Sequence, residues 1–130
     1  MSAAAFRAAV EAGDLGAAHD LFAQDIVFHS PITFHPFIGR ETVTRLLGLV
    51  EQTFEDFRYT DELQADGAHA LIFRASVEGR ELEGVDLLRF DEDGMIADFT
   101  VMLRPLSGLM PFAQAMGEKV AQAGLQTTRV

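Results

Sequence analysis

One carboxylate, Asp86, lies in the middle of an apolar run that has the pattern of a β-strand. Side chains alternate along a strand, so Asp86 is expected to share its face with Leu82, Leu88 and Phe90. Burying an unpaired carboxylate is costly, and such a group is usually paired, hydrogen-bonded or protonated. Asp86 is therefore a candidate catalytic acid or orienting group. The alternative is that it stabilises the sheet by binding a loop amide or an arginine.

Histidine is the other residue type that moves protons near neutral pH, and the chain contains four. His35 lies in a proline-bracketed loop over residues 31–37 and is the better candidate for a catalytic base, with a solvated loop histidine as the alternative. His29 is expected on the outer side of its strand, and His19 and His69 at the surface. No HxH or HxxxH pair and no cysteine is present, so the sequence predicts no metal site and no cofactor.

Helices and strands with clear patterns are available to position these side chains. The predicted helices are one capped by Ser2 and ended by Gly13, a short one capped by Asp14, one from about Arg40 to Phe54, and one from Leu109 to Gly124. The predicted strands are Asp25–Ser30, Phe57–Gln64, His69–Glu78, Leu82–Phe90 and Met95–Leu103. The pattern predicts one α+β domain over residues 1–130, with 105–130 as a C-terminal helix and a frayed tail.

The last two predicted strands form a hairpin, because Asp93-Gly94 is a strong turn signal between them. The two alternating sets on the final strand are Phe99, Val101 and Leu103, and Asp98, Thr100 and Met102. The loop length after Phe90 is uncertain by one residue, so the sequence leaves open which set faces Asp86. The first set is more apolar and is the default choice for the core.

The composition limits the partners of this chain. It has 130 residues, 48% of them hydrophobic, with eleven phenylalanines and a formal net charge of −10. That charge disfavours nucleic acid and anionic membranes, both of which require a basic patch. No membrane span and no leader pattern is evident, so a cytoplasmic location is expected. The phenylalanines and methionines predict either a plain core or the lining of a cavity for a small hydrophobic ligand.

Several short motifs occur in a characteristic order along the chain. They are Gly13-Asp14, His29-Ser30-Pro31, Gly39-Arg40-Glu41, and Asp86-Leu87-Leu88-Arg89-Phe90 followed by Asp93-Gly94. Together with the order of elements, they resemble the nuclear transport factor 2-like superfamily, which includes ketosteroid isomerases and SnoaL-like polyketide cyclases. The resemblance covers roughly residues 3 to 104. It implies a cone-shaped α+β fold, in which a curved, mostly antiparallel sheet wraps around the N-terminal helices and encloses an apolar cavity.

The resemblance implies three catalytic positions, of which this chain keeps one. Ketosteroid isomerases use a carboxylate base, with a tyrosine and a protonated aspartate that hold the oxyanion. The aspartate falls on Asp86, whereas the base position holds Ser30 and the tyrosine position holds Phe6. A serine hydroxyl takes up no proton near neutral pH without its own base, and a phenyl ring donates no hydrogen bond. Steroid isomerisation by that mechanism is therefore not expected, and whether the chain is an enzyme is left open.

The resemblance also implies a lining for the cavity, and it favours the set with Thr100 and Met102 on the last strand. The implied ligand-binding residues are Phe6, Phe28, Ser30, Tyr59, Phe73, Leu88, Thr100 and Met102, beside Asp86 and His35 as catalytic candidates. Three functions remain open. They are acid/base chemistry on a hydrophobic carbonyl compound (isomerase, cyclase or hydratase), ligand binding without chemistry, and association as a homodimer through the outer sheet face at Ile72, Val85 and Leu87.

Overall fold

Ten helices and strands make up the computed structural model, which describes residues 3–128. The helices are α1 (Ala3–Ala12), α2 (Leu15–His19), α3 (Arg40–Thr53) and α4 (Leu106–Ala123). The strands are β1 (Phe22–His29), β2 (Phe37–Ile38), β3 (Glu55–Ala65), β4 (Ala68–Val77), β5 (Arg80–Phe90) and β6 (Ile96–Arg104). The predicted cap at Ser2 lies outside the described residues. Within residues 3–128, no helix combines the length and the apolar character that crossing a membrane requires.

The six strands form one curved sheet in the order β2-β1-β6-β5-β4-β3. Strands β1 and β6 run parallel and all other neighbours are antiparallel. Strands β4 and β5 at the centre of the sheet bury alternate side chains, as the period of two requires. The helices cover the buried face, where Phe6 of α1 meets the edge of Phe99 at 5.3 Å between ring centroids. The predicted α+β fold class with a curved, mostly antiparallel sheet is confirmed.

The loop between β5 and β6 fixes the register that the sequence left open. Asp91 donates its backbone N–H to Met95 O and accepts from Gly94 N, so three residues form the loop, and Gly94 takes a φ of 80°. The pairing of β5 with β6 shifts by one residue between Arg89 and Phe90. As a result, Asp86 of β5 lies directly opposite Val101 of β6. The set Phe99, Val101 and Leu103 therefore shares the inner face with Asp86.

The prediction that Thr100 and Met102 line the cavity is wrong. Thr100 lies opposite Leu87 and Met102 opposite Val85, which places both on the outer face of the sheet. Met102 is 54% exposed. A slip of one residue exchanges the two faces of a strand, so the resemblance alone was a weak guide to the register here.

His69 is buried, which corrects its predicted position at the surface. It falls on an inward-facing position of β4 and packs the edge of Phe90 at 5.2 Å. Its Nδ1 accepts a hydrogen bond from the backbone N–H of Ala3 at 3.1 Å. The imidazole thus satisfies one of the free N–H groups at the start of α1 and attaches this helix to the sheet.

The segment after α4, for which the sequence predicts a frayed tail, makes contacts with the rest of the protein through Thr128. Gly124 ends the helix with a φ of 72°, and Leu125 is only 8% exposed. Thr128 N then donates to Pro36 O at 2.7 Å. The apolar contact of Leu125 and this hydrogen bond attach the segment to the loop before β2. The predicted frayed residues 129–130 lie outside the described residues.

A substitution at Gly84 tests how closely β5 packs against its neighbours. A Cβ at this position would clash with the ring of Phe73 and would lie 2.8 Å from the backbone oxygen of Met102. We expect Gly84→Ala to lower the free energy of unfolding by about 1–3 kcal/mol, as overpacking does in other cores. Urea unfolding measures this value.

Gly117→Ala is the matched control, because a Cβ at that position in α4 meets nothing within 4 Å. There the substitution should stabilise the protein by about 0.5–1 kcal/mol through the better helix propensity of alanine. Equal urea midpoints for the two variants would contradict the close packing at Gly84.

Candidate functional site

A cavity of about 760 Å³ lies between the inner face of the sheet and helices α1, α3 and α4. Aromatic side chains make up much of its wall: Phe28, Phe37, Phe54, Phe57, Tyr59, Phe73, Phe99 and Phe112. Volumes of this size accommodate drug-sized organic molecules. The cavity is therefore large and apolar enough for a small hydrophobic ligand.

Asp86 contributes a buried carboxyl to this wall. The residue is 6% exposed, and Tyr59 Oη donates a hydrogen bond to Oδ2 at 3.1 Å. Within residues 3–128, every fully buried side-chain nitrogen or oxygen has a hydrogen-bond partner. The other oxygen of Asp86, Oδ1, has no hydrogen bond in that part of the chain, so it is not fully enclosed by protein atoms. Since Asp86 lines the cavity, we infer that Oδ1 faces it.

The environment of Asp86 changes its acidity. Burial raises the pKa of its carboxyl from 3.8 to about 7, while the hydrogen bond from Tyr59 lowers it in part. Near neutral pH the carboxyl is therefore present in both forms: the protonated form can donate a hydrogen bond into the cavity, and the ionised form can only accept one. Burial, and then the charge of Asp86, raise the pKa of the Tyr59 phenol, which stays protonated and acts as a donor.

Tyr59 is itself held from three sides. It faces inward from β3 opposite Phe73, and Phe57 meets its ring edge-to-face at 4.9 Å. The guanidinium of Arg7 lies 5.5 Å from the ring centroid, where a cation–π contact is favourable. Arg7 reaches this position from α1, and Glu62 of β3 accepts from it at 3.4 Å. These contacts fix the phenol that orients Asp86.

The structure brings five of the predicted site residues together at the cavity. They are Asp86, Tyr59, Phe28, Ser30 and Phe73. Ser30 lines the cavity, and its Oγ accepts hydrogen bonds from the N–H groups of Ile32 and Thr33. The hydroxyl therefore caps the loop that follows β1.

The other predicted residues lie away from the cavity. Phe6 and Leu88 are fully buried in the core and are not among the residues that line the cavity. Thr100 and Met102 lie on the outer face, as described above. His35 is exposed in its loop and does not line the cavity, so the structure does not bring this candidate base to Asp86.

The remaining histidine of the sheet pairs with a carboxylate on the opposite face. His29 Nε2 lies 3.0 Å from Asp98 Oδ2, across the parallel pair of β1 and β6. His29 thus occupies the outer side, as predicted. Within residues 3–128, no group of three or more histidine, aspartate or glutamate side chains could hold a metal ion.

Sequence reasoning missed two parts of the lining. One is the C-terminal region, and the other is a set of exposed charged residues, Glu11, Asp14, Glu51 and Arg58, which we call the mouth residues. Helix α4 and the segment after it contribute Phe112, Met116, Gly117, Val120, Leu125, Gln126 and Thr127 to the lining. The ionisable residues of the lining, apart from Asp86 and Tyr59, are Glu11, Asp14, Glu51 and Arg58. The stripe of Phe112, Met116 and Val120 at helical spacing was visible in the sequence, but nothing in it indicated which wall the helix would form.

The SnoaL-like domain family model matches residues 3–99. The chain belongs to the SnoaL-like domain family. Solved structures support the assignment. An uncharacterised protein with a cystatin-like fold from Silicibacter pomeroyi shares 33% identity at a TM-score of 0.88, with 93% of this chain and 86% of that one covered. A steroid delta-isomerase from Pseudomonas aeruginosa shares 38% identity at a TM-score of 0.85, with 91% and 88% covered.

More distant structures share the fold alone. A nuclear transport factor 2-like protein of unknown function from Burkholderia xenovorans shares 20% identity at a TM-score of 0.66, with 82% of this chain and 86% of that one covered. No curated protein sequence matches the chain significantly.

The raised pKa of Asp86 predicts that the SnoaL-like domain loses stability as the pH rises. The folded protein keeps a proton on Asp86 up to a pKa of about 7, whereas the unfolded chain releases it near 3.8. The free energy of unfolding should therefore fall between about pH 4 and about pH 7, by a total of about 4 kcal/mol, and change no further above that range. Asp86→Asn should remove this slope and be more stable than the natural protein at alkaline pH.

Urea unfolding over a pH series measures the slope. Asp61→Asn is the control, since this exposed aspartate on β3 undergoes the same chemical change outside the cavity. It should keep the slope of the natural protein. A natural protein whose stability is constant from about pH 4 to about pH 7 would contradict the burial argument.

Proposed function

We propose that this SnoaL-like protein binds a small, hydrophobic carbonyl compound, and that protonated Asp86 donates a hydrogen bond to the carbonyl oxygen. The observation that carries the proposal is the geometry of one carboxyl group: Oδ2 accepts from Tyr59 at 3.1 Å, while Oδ1 faces an aromatic cavity. A few well-placed polar groups in an apolar pocket are what orients such a ligand. A hydrogen bond from Asp86 would also stabilise negative charge that develops on the oxygen.

Acid/base chemistry is the catalytic form of this proposal. A group with a pKa of about 7 both gives and takes protons efficiently at neutral pH. Cyclisation or hydration of a carbonyl compound, in which one acid protonates the oxygen, fits a site with a single buried carboxyl. The likeness to the protein described as a steroid delta-isomerase supports a carbonyl ligand.

Steroid isomerisation itself is not part of the proposal. That reaction needs a base to remove the proton next to the carbonyl. Ser30 occupies the expected position of the base, and its hydroxyl accepts two backbone hydrogen bonds. The described lining contains no second buried carboxylate and no imidazole. The alternative function, ligand binding without chemistry, requires only the cavity and the hydrogen bond from Asp86.

A neutral ketone, 2-acetylnaphthalene, tests the binding mode. Only protonated Asp86 donates to a ketone, so the apparent affinity should follow the protonated fraction. Isothermal titration calorimetry should show a decrease of about 30-fold between about pH 5.5 and about pH 8.5. Asp86→Asn should remove this pH dependence, because its amide N–H donates at every pH. A pH-independent affinity in the natural protein would contradict the proposal.

Exchange of the carbonyl oxygen of the same ketone with H₂¹⁸O separates an enzyme from a binding module. Oxygen exchange, followed by mass spectrometry, reports reversible hydration, which an acid on the carbonyl oxygen accelerates. Exchange that is accelerated by the natural protein and lost in Asp86→Asn would support acid/base catalysis. Bound ketone with no acceleration would support the non-catalytic alternative.

We also propose that two copies associate through the outer sheet face, and we retain the predicted cytoplasmic location. Ile72 lies beside Val85 and Val85 beside Met102, so three apolar side chains form a row across β4, β5 and β6. Leu87 extends the row along β5, and Met102 is 54% exposed. An apolar patch of this kind on a sheet face is typical of an association surface.

Sedimentation velocity tests the association. Leu87→Arg should convert a dimer to a monomer, because an interface buries an unpaired charge only at high cost. Met110→Arg is the control: this residue of α4 is 61% exposed but lies outside the sheet face, so the dimer should persist. A natural protein that is monomeric at high concentration would contradict the proposed interface.

A further inference from the structure

The charges along the cavity are predominantly negative. Besides Asp86, its lining includes the carboxylates of Glu11 from α1, Asp14 before α2 and Glu51 from α3, against the single guanidinium of Arg58 from β3. The whole chain carries a formal net charge of −10. A cleft lined by one sign of charge with low-dielectric walls concentrates ligands of the opposite sign. The cavity therefore disfavours anions and favours cations.

The aromatic wall next to Asp86 is continuous. Tyr59, which donates to Asp86, meets Phe57 at 4.9 Å between centroids, and Phe57 meets Phe73 at the same distance. Phe54 lies 5.6 Å from Phe73 and continues the wall toward α4. Faces of aromatic rings attract ammonium groups within about 6 Å of their centroids, most strongly where water is excluded.

A buried carboxyl with one free oxygen beside such a wall provides both elements that recognise an organic cation. Oδ1 can accept from an ammonium N–H, and the rings can hold the carbon skeleton and part of the charge. We propose that the cavity of this protein also takes lipophilic amines in their protonated form, with the ammonium group paired to ionised Asp86. The inference rests on the proposed function in that it uses the same cavity and the same carboxyl.

The two ligand classes require opposite forms of Asp86. A ketone needs the protonated carboxyl, whereas an ammonium group pairs with the carboxylate. The ionisable lining residues around Asp86, whose protonation is at issue, are Tyr59, which donates to Oδ2, and the mouth residues Glu11, Asp14, Glu51 and Arg58. The lining residues from β4, β6 and α4 carry no ionisable group. As the pH rises, the cavity should therefore change from preferring neutral oxygen compounds to preferring amines.

The test compares 1-(naphthalen-2-yl)ethylamine with 2-acetylnaphthalene, which has the same carbon skeleton with an oxygen in place of the amino group. Calorimetric affinities are measured between about pH 5.5 and about pH 8.5, a range in which alkylamines stay protonated. The affinity for the amine should rise by up to about 30-fold, as the ionised fraction of Asp86 rises, while that for the ketone falls. An amine affinity that is constant or falls with pH would overturn the inference.

Two variants separate the buried carboxyl from the mouth. Asp86→Asn should abolish the increase in amine affinity with pH, because the side chain no longer ionises. Glu51→Gln should weaken amine binding less than about threefold and keep the increase, since it removes one exposed charge that solvent screens. An increase that persists in Asp86→Asn and disappears in Glu51→Gln would place the cation at the mouth and overturn the inference.

The paired ligands also separate this inference from the proposed function. If the ketone binds and the amine does not, the inference fails and the proposed function stands. If the amine binds and the ketone does not, the inference stands and the proposed function fails. The pH series of the natural protein provides this result even if Asp86→Asn does not fold.

Discussion

The burial of one carboxyl group is the constraint on which the rest of this structure depends. Asp86 is 6% exposed and receives a single hydrogen bond, from Tyr59. A carboxylate that only stabilised the sheet would gain most by accepting bonds at both oxygens, because each unmet bond raises the cost of its burial. Here Oδ1 faces open volume instead. That arrangement lowers the stability of the empty protein at neutral pH, and it is the arrangement that a bound ligand would complete.

The register of one hairpin determines what surrounds this carboxyl. The three-residue loop 92–94 between Asp91 and Met95 ends at Gly94 in the left-handed conformation, and the shift in pairing beside it places Val101 opposite Asp86. With a register one residue different, Thr100 and Met102 would face the helices, and Asp98 would bring a second carboxylate inward. The apolar surroundings that raise the pKa of Asp86 to about 7 therefore depend on the conformation of a surface loop.

Much of the fold was predictable, because hydrophobic periodicity and turn residues act locally. The apolar stripe of α3, the turn at Asp93-Gly94 and the isolated carboxylate at Asp86 are all evident in the sequence. Features that depend on tertiary contacts were not. His69 is buried because an inward position of β4 lies under the start of α1, and Leu125 is buried because α4 ends beside the core. Neither has a local signal. His35 illustrates the reverse error, since a titratable residue in a loop near a cavity need not face it.

Stability and ligand binding are linked through the same titration. Between about pH 4 and about pH 7 the folded protein progressively loses the advantage of keeping Asp86 neutral. A ligand that binds only the folded state restores stability in proportion to its affinity. An ammonium ligand would restore stability by acting as a counter-ion for ionised Asp86. A ketone would restore it by keeping the carboxyl protonated. The lining places Ser30 rather than a carboxylate at the end of β1, and a second ionised carboxylate near Asp86 would raise the cost of ionising both. A cavity with a single buried carboxyl would therefore change its ligand preference with pH, whereas a cavity with two coupled buried carboxylates would hold one proton between them over that range.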